Sequence, residues 1–200
     1  MGCRKLSYYE NTTAFREASP LKVVYKNPQV CRKEKPVFRE VGETLEQGGG
    51  NWLSSPVGDA PISSEFMSTR NCAGCSNTHG GTDYAVPVGT PVVATAPGTV
   101  ARSYRSGSYG NVVIVNHGEA AQGSGNVYTL YAHGSSLQVQ QGATVNTGDL
   151  LINSGNTGRS TGPHLHYEVI VTPHTPFQSQ FFGNLQIRHA PTDLGYFLGY

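Results

Sequence analysis

Two histidines, His164 and His166, stand two positions apart at the start of the apolar, β-branched run Val169–Val171. Side chains alternate between faces along an extended strand, so both imidazoles are predicted to point to the same side. The preceding Thr161-Gly162-Pro163 is typical of a turn and places the two rings at the mouth of a loop. Two imidazoles on one face of a strand suit a metal site, although so short a motif also fits ordinary strand residues.

Two further segments place a histidine next to glycine at the end of a predicted strand. His79 and Asp83 lie four positions apart, and the pair Gly80-Gly81 between them favours a loop that enters a strand over a helix. His133 ends the apolar run Leu130-Tyr131-Ala132. Each histidine alone fits a structural role, but four of them with one aspartate are difficult to explain by packing.

Histidine and aspartate together are a suitable donor set for a hydrolytic zinc site. Such a site has three protein ligands and one open position for water, whose pKa falls to about 7. Two neutral imidazoles and one carboxylate would leave the centre positively charged. The remaining histidines could then take or give a proton and stabilise an oxyanion.

The elements that must position these residues are predicted to be strands. Gly is abundant, at 25 residues, and only 14% of the residues are charged, which favours a loop-rich β protein. Short β-branched runs alternate with turn signals such as Pro97-Gly98. The predicted strands are 90–96, 99–104, 111–116, 127–132, 149–153 and the one that begins at His164. We therefore expect an all-β fold without a required helix: an antiparallel two-sheet sandwich or split barrel with an open groove, an irregular N-terminal extension and a C-terminal tail.

Composition divides the chain into three parts. Residues 1–50 form a basic extension or linker that carries nine of the fourteen Lys and Arg residues, contains a possible short strand at 21–25, and ends in Gly48-Gly49-Gly50, which is typical of a hinge. Residues 51–172 hold the predicted strands and form the main domain. Residues 173–200 form an aromatic tail in which no pattern indicates chemistry.

Charge and hydropathy argue against nucleic-acid binding, a transmembrane helix and a signal peptide. The net charge of +1 gives no basis for binding nucleic acid through a basic surface. The sequence contains no run of eighteen or more apolar residues, so no transmembrane helix is predicted. The segment 1–6 has basic residues but no apolar region behind them, so we expect no signal peptide. Action outside the cytoplasm would then depend on an export route that this chain does not encode as a signal peptide.

Four cysteines, Cys3, Cys31, Cys72 and Cys75, allow three pairings, between which the sequence does not choose. The C-x-x-C at 72–75 fits a redox pair, half of a zinc knuckle or a local disulfide. Because there is no second C-x-x-C, a four-thiolate zinc site is not expected. A loop disulfide or two free thiols is the default interpretation.

The order of these motifs resembles that of the LytM/lysostaphin-type zinc metallopeptidases, family M23, which includes the peptidoglycan endopeptidases. The resemblance extends from about Ser63 to Val171. The segments that carry it are His79-Gly80-Gly81-Thr82-Asp83 (H-x-G-x-D), Tyr84–Val92, Tyr109–Ile114, Tyr131-Ala132-His133 (Y-x-H), Ser154–Gly158 and Ser160–His166. They occur in the family's order over more than half of the chain.

The resemblance implies a set of site residues and an activity. Zn²⁺ would be bound by His79, Asp83 and His166. His133 and His164 would orient the attacking water and stabilise the tetrahedral intermediate. The implied function is zinc-dependent endopeptidase hydrolysis of peptide bonds in bacterial peptidoglycan, in the crosslink or the stem peptide, by a monomer that acts outside the cytoplasm, in the periplasm or as a secreted protein.

Departures from the family pattern are small. Gly134 stands where the family usually has Leu or Met, which predicts a looser wall of the groove. His117 is expected to be structural, and His174 and His189 match no motif. Residues 1–50 resemble the segments between an Rhs-type shell and its C-terminal toxin, which would imply an upstream delivery polypeptide and an immunity protein as partners.

Two other functions remain as alternatives. The first is a non-catalytic module on the same fold that binds cell wall or activates a hydrolase; such relatives lose metal ligands, whereas all five key positions are present here. The second is a non-haem iron oxygenase, because two histidines and one carboxylate also suit iron. Its usual His-x-Asp spacing is absent from this sequence.

Overall fold

The computed structural model describes residues 7–10, 22–25, 52–53, 55–71, 76–172 and 184–200. The chain divides into two compact units, Met1–Gly48 and Gly49–Tyr200. In the first unit, β1 (Ser7–Glu10) and β2 (Lys22–Tyr25) form an antiparallel pair, which confirms the short strand expected at 21–25. The four cysteines and His174 lie outside the described residues. The predicted divisions at residues 50 and 172 stay predictions.

The second unit contains a large and a small antiparallel sheet. The strands of the large sheet are β3 (Ile62–Ser64), β4 (Thr82–Tyr84), β6 (Gly98–Ser106), β7 (Gly110–Glu119), β8 (Asn126–Gly134), β10 (Thr144–Val145), β12 (Leu165–Thr172) and β13 (Arg188–His189). The strands of the small sheet are β5 (Pro91–Val93), β9 (Ser136–Leu137) and β11 (Leu150–Asn153). The large sheet has the order β10-β6-β7-β8-β12-β4-β3, and the small one the order β5-β11-β9.

Strand β12 lies in the interior of the large sheet and is paired on both edges. From His166 to Thr172 it pairs with β8. On the other edge, its start pairs with β4, and its later part pairs with β13. All eight residues of β12 are buried, including the polar residues His166, Glu168 and Thr172.

The main core lies between the two sheets. Val92 of β5 and Leu151 of β11 pack in one cluster with Val113, Tyr131 and Leu165 of the large sheet. Alternate residues of β7, β8 and β12 form a second cluster on the opposite face of the large sheet. The described residues of the second unit thus form two antiparallel sheets without a closed barrel, which confirms the predicted all-β architecture.

Buried hydroxyl groups cross the main core in a connected series. Thr95 Oγ1 lies 2.9 Å from the hydroxyl oxygens of both Tyr131 and Tyr167. The Tyr131 hydroxyl lies 3.0 Å from Thr129 Oγ1, which in turn lies 2.8 Å from His117 Nε2. His117 therefore belongs to the hydrogen-bonding network of the core, in agreement with the structural role expected for it. The partners allow polar groups to be buried at this depth.

The described end of the chain, residues 184–200, packs onto the rest of the second unit. Strand β13 joins the large sheet, and a short helix, α1 (Leu194–Leu198), follows it. Leu194 is fully buried in the main core, and Gly195 lies so close to Trp52 that a side chain there would collide with the indole ring. Among the described residues, no helix is long and apolar enough to cross a bilayer.

Candidate metal centre

The register between β4 and β12 builds the centre, because it places Asp83 directly opposite His166. A shift of one residue would turn one of the two side chains to the other face of the sheet. His79 precedes β4 in a loop that is fixed by two backbone bonds: its N–H donates to Ser68 O, and its carbonyl accepts from Met67 N, each at 2.9 Å.

Three buried side chains converge on one point. His166 Nδ1 lies 2.7 Å from Asp83 Oδ1, and His79 Nε2 lies 3.1 Å from both of these atoms. One donor atom from each of the three residues lies within 4.8 Å of the others. Two imidazole nitrogens and one carboxylate oxygen form a set that suits zinc with an open position. The residues present therefore fit the metal that the sequence suggested.

The second ring nitrogen of each ligand histidine has a hydrogen-bond partner of its own. His79 Nδ1 donates to the carbonyl oxygen of Glu65 at 2.9 Å, and His166 Nε2 donates to Glu168 Oε1 at 2.9 Å. In the neutral, metal-binding form of each ring, these bonds keep the proton on the outer nitrogen and leave His79 Nε2 and His166 Nδ1 directed at Asp83.

His133 and His164 flank this cluster. The centroids of their rings are 4.7 Å apart, and His164 Nε2 lies 3.7 Å from Asp83 Oδ1. His133 Nδ1 donates to Thr157 O at 2.7 Å, and His164 Nδ1 donates to Gly162 O at 2.8 Å. Both Nδ1 atoms are thus held by carbonyl oxygens. The expected common side for His164 and His166 is confirmed, because both rings reach the same carboxylate.

The backbone of His133 has a φ of 62°, in the left-handed region. Residues other than glycine seldom adopt this conformation, and it costs on the order of 1 kcal/mol. A backbone bond from His133 N to Tyr109 O, at 2.8 Å, holds the residue in place. The next residue, Gly134, has no room for a side chain, because Ile152 Cδ1 would lie 2.1 Å from its Cβ. Ile152 therefore fills the space that we expected to be loose.

The charges of the cluster favour a protonated His166, because this ring lies between the carboxylates of Asp83 and Glu168. Burial would raise the pKa of Asp83, but the adjacent imidazoles of His166 and His79 hold it well below its ordinary value. Burial would lower the pKa of His166, but hydrogen bonds to Asp83 and Glu168 outweigh it and raise the pKa to about 9. Burial lowers the pKa of His133 to about 4, which makes this ring neutral at pH 7.

Sequence reasoning did not assign four residues to this site, which are Arg70, Tyr109, Glu168 and Arg188. Arg70 donates to Asp83 Oδ2 at 2.5 Å. Glu168 accepts from His166, from the Tyr109 hydroxyl at 2.8 Å and from Arg188. A single acidic residue inside the apolar run 165–171 was a signal that could have identified Glu168. No spacing or motif distinguished Arg188 within the tail.

Gly81 is required by the close approach of β4 to β12. A Cβ at this position would lie 2.5 Å from the carbonyl oxygen of Tyr167 and 2.8 Å from His166 Cε1. Backbone at that distance leaves no space for a side chain. The glycine in the middle of the H-x-G-x-D motif is thus explained by contact with the strand that carries the second ligand histidine.

Comparison with known proteins finds a family model and several relatives that are similar to this chain. The family model described as "Peptidase family M23" matches residues 77–178. An uncharacterized metalloprotease of Haemophilus influenzae is 38% identical over 167 residues, which are 82% of this chain and 33% of that protein. The DD-carboxypeptidase/endopeptidase Mpg of Neisseria meningitidis serogroup B is 41% identical over 130 residues, which are 64% of this chain and 28% of that protein.

A solved structure agrees with these matches. The zinc-containing peptidase from Vibrio cholerae superposes with a TM-score of 0.54 at 32% identity, over 62% of this chain and 37% of that one. This chain spans about a third or less of the length of the two curated relatives above.

Proposed function

Because this chain belongs to peptidase family M23, we propose that it is a zinc-dependent endopeptidase that hydrolyses peptide bonds in bacterial peptidoglycan, in the crosslink or the stem peptide. The observation that carries the proposal is the convergence of His79 Nε2, Asp83 Oδ1 and His166 Nδ1. The two flanking histidines are also present, so the site has the groups for catalysis in addition to the groups for binding a metal.

His79, Asp83 and His166 would hold the metal. When bound, zinc supplies a Lewis acid that polarises the scissile carbonyl and lowers the pKa of a water molecule. The bonds from His79 Nδ1 to Glu65 and from His166 Nε2 to Glu168 keep both rings oriented for this task.

His133 and His164 would handle protons and charge. Since Thr157 O holds the Nδ1 proton of His133 and the ring is neutral at pH 7, His133 Nε2 is suited to accept a proton from the attacking water. His164, whose Nε2 lies on the Asp83 side of the ring, would donate a hydrogen bond to the carbonyl oxygen as that oxygen becomes negative.

Support for peptidoglycan as the substrate comes from a relative of Vibrio cholerae, ShyA, whose name describes a peptidoglycan DD-endopeptidase and which is 46% identical over 94 residues. Action on this polymer would take place outside the cytoplasm. Delivery by an upstream polypeptide, an immunity protein and a monomeric state stay predictions from the sequence.

The test combines metal analysis with release of fragments from purified cell walls. We expect His166→Ala to lose zinc, while His133→Ala and His164→Ala keep zinc and lose cleavage. His189→Ala, which alters a histidine that packs on Phe197 away from the cluster, serves as the matched control and should keep both properties.

Three results would contradict the proposal in different ways. Full zinc occupancy in His166→Ala would exclude the ligand set. Fragment release that persists with a chelator would exclude the dependence on metal. A zinc-loaded wild-type protein that binds walls without releasing fragments would favour the non-catalytic module. Mass spectrometry of fragments from walls of defined chemistry identifies the bond that is cut.

A further inference from the structure

A buried ion pair lies directly behind the second ligand histidine. Glu168 and Arg188 are only 2% and 4% exposed. Glu168 Oε2 accepts from Arg188 Nε at 2.9 Å and from Nη2 at 2.8 Å, so two charge-assisted bonds from the guanidinium converge on one carboxylate oxygen. The catalytic proposal above uses neither the arginine nor its segment of the chain.

The other oxygen of Glu168 faces the metal centre. Glu168 Oε1 accepts from His166 Nε2 at 2.9 Å and from the Tyr109 hydroxyl at 2.8 Å. Glu168 lies two positions after His166 on β12, so the two side chains share one face of the strand. The carboxylate is thereby held on one side by Arg188 and on the other by the ligand histidine.

The backbone brings Arg188 to this position from far along the chain. Arg188 pairs with Ile170 in the β12–β13 register, and its Nη1 donates to Asn184 O at 2.6 Å. On its other side it crosses Gly80, where a Cβ would lie 3.1 Å from Arg188 Nε. The arginine therefore lies between the strand that carries His166 and the loop that carries His79.

We propose that Arg188 is a positioning residue, which acts through Glu168 to hold the His166 ring with Nδ1 directed at the metal. This inference rests on the proposed zinc site. It makes Arg188, which belongs to the predicted tail, a supporting part of that site. Partners of ligand histidines affect metal affinity by roughly 10- to 100-fold, so the effect is measurable.

The competing explanation is that the pair only stabilises the fold. Removal of one member of a buried ion pair leaves an uncompensated charge, whereas replacement of both members by apolar residues is often neutral for stability. The double variant Glu168→Met/Arg188→Met separates the two explanations. It restores the fold without restoring an acceptor for His166 Nε2.

The experiment measures the zinc dissociation constant by competition with a chromophoric chelator, and the visible spectrum after loading with cobalt(II). We expect Arg188→Met and the double variant to bind zinc roughly 10- to 100-fold more weakly and to show an altered cobalt spectrum. Arg188→Lys keeps the charge without the paired geometry and should show a smaller loss. Gln186→Ala, at an exposed position of the same segment, should match the wild type. Urea unfolding of the zinc-free proteins reports on the fold.

The outcomes distinguish this inference from the proposed function. A wild-type protein that does not bind zinc contradicts the proposed function itself. If the wild type binds zinc and a folded double variant binds it equally tightly with the same cobalt spectrum, the positioning role is wrong. If Arg188→Met misfolds, Arg188→Lys and the double variant decide between the two explanations on the same measurements.

Discussion

Acidification from pH 7 to pH 5 should weaken the fold through His117. The half-buried ring donates from Nδ1 to Pro97 O at 2.7 Å and contacts Thr129 at the end of the buried hydroxyl series. Burial lowers its pKa from 6.5 to about 4. The unfolded chain therefore takes up a proton at a higher pH than the folded one, so stability is complete above pH 6.5 and falls as the pH approaches 4.

The size of the effect follows from these two pKa values. At pH 5 the unfolded imidazole is almost fully protonated, while about one-tenth of the folded protein carries the proton. Integration from pH 7 to pH 5 gives a loss of about 2 kcal/mol, and the limit below pH 4 is about 3 kcal/mol. This is a large part of the free energy of unfolding of a typical domain.

The assay is urea unfolding of the wild type and of His117→Gln at pH 7 and pH 5, with a chelator in every sample. Other histidines titrate equally in both proteins, so the difference between the two pH dependences isolates His117. The wild type should lose about 2 kcal/mol more than the variant between the two pH values. Equal losses in the two proteins would refute the assignment of His117 as a buried neutral group.

Three further variants test the site and the core. Gly81→Ala should destabilise the protein by about 1–3 kcal/mol and weaken zinc binding, because its Cβ would press on the neighbouring strand; Gly107→Ala, which meets open space, is the control, and similar unfolding curves would contradict the contact. Arg70→Met frees Asp83 Oδ2 and should weaken zinc binding roughly tenfold, as measured by chelator competition; unchanged affinity would show that this bond does not orient the ligand. Thr95→Val should cost about 1–3 kcal/mol in urea unfolding, since two tyrosine hydroxyls lose a partner, and a neutral result would mean that they find another.

Local sequence rules were sufficient to predict the strand at His164 and His166 and the side to which both rings point. Alternation of side chains along the strand predicted their common side, and the structure places both rings at Asp83. Periodicity does not determine which strands become neighbours. The pairing of β4 with β12, which brings His79 and Asp83 to His166, was expected only from the resemblance to a known family.

Long-range pairing also explains what the sequence did not reveal. Arg188 is twenty residues from Glu168, and only the addition of β13 to β12 brings the two together. Ile152 of the small sheet fills the space beside Gly134, so a substitution that suggested a looser groove is compensated by a residue from another strand. Such compensation depends on tertiary contacts, which a single sequence does not display.

The backbone segments that carry the two ligand histidines differ greatly in how firmly they are hydrogen-bonded. His166 belongs to a strand bonded along both edges, so its backbone can be displaced only if the large sheet comes apart. His79 depends on a loop with a few backbone bonds to residues 67 and 68. Removal of the ion should therefore accelerate amide exchange in residues 65–70 and 76–80 while β12 stays protected, because only the loop can open without disrupting the large sheet.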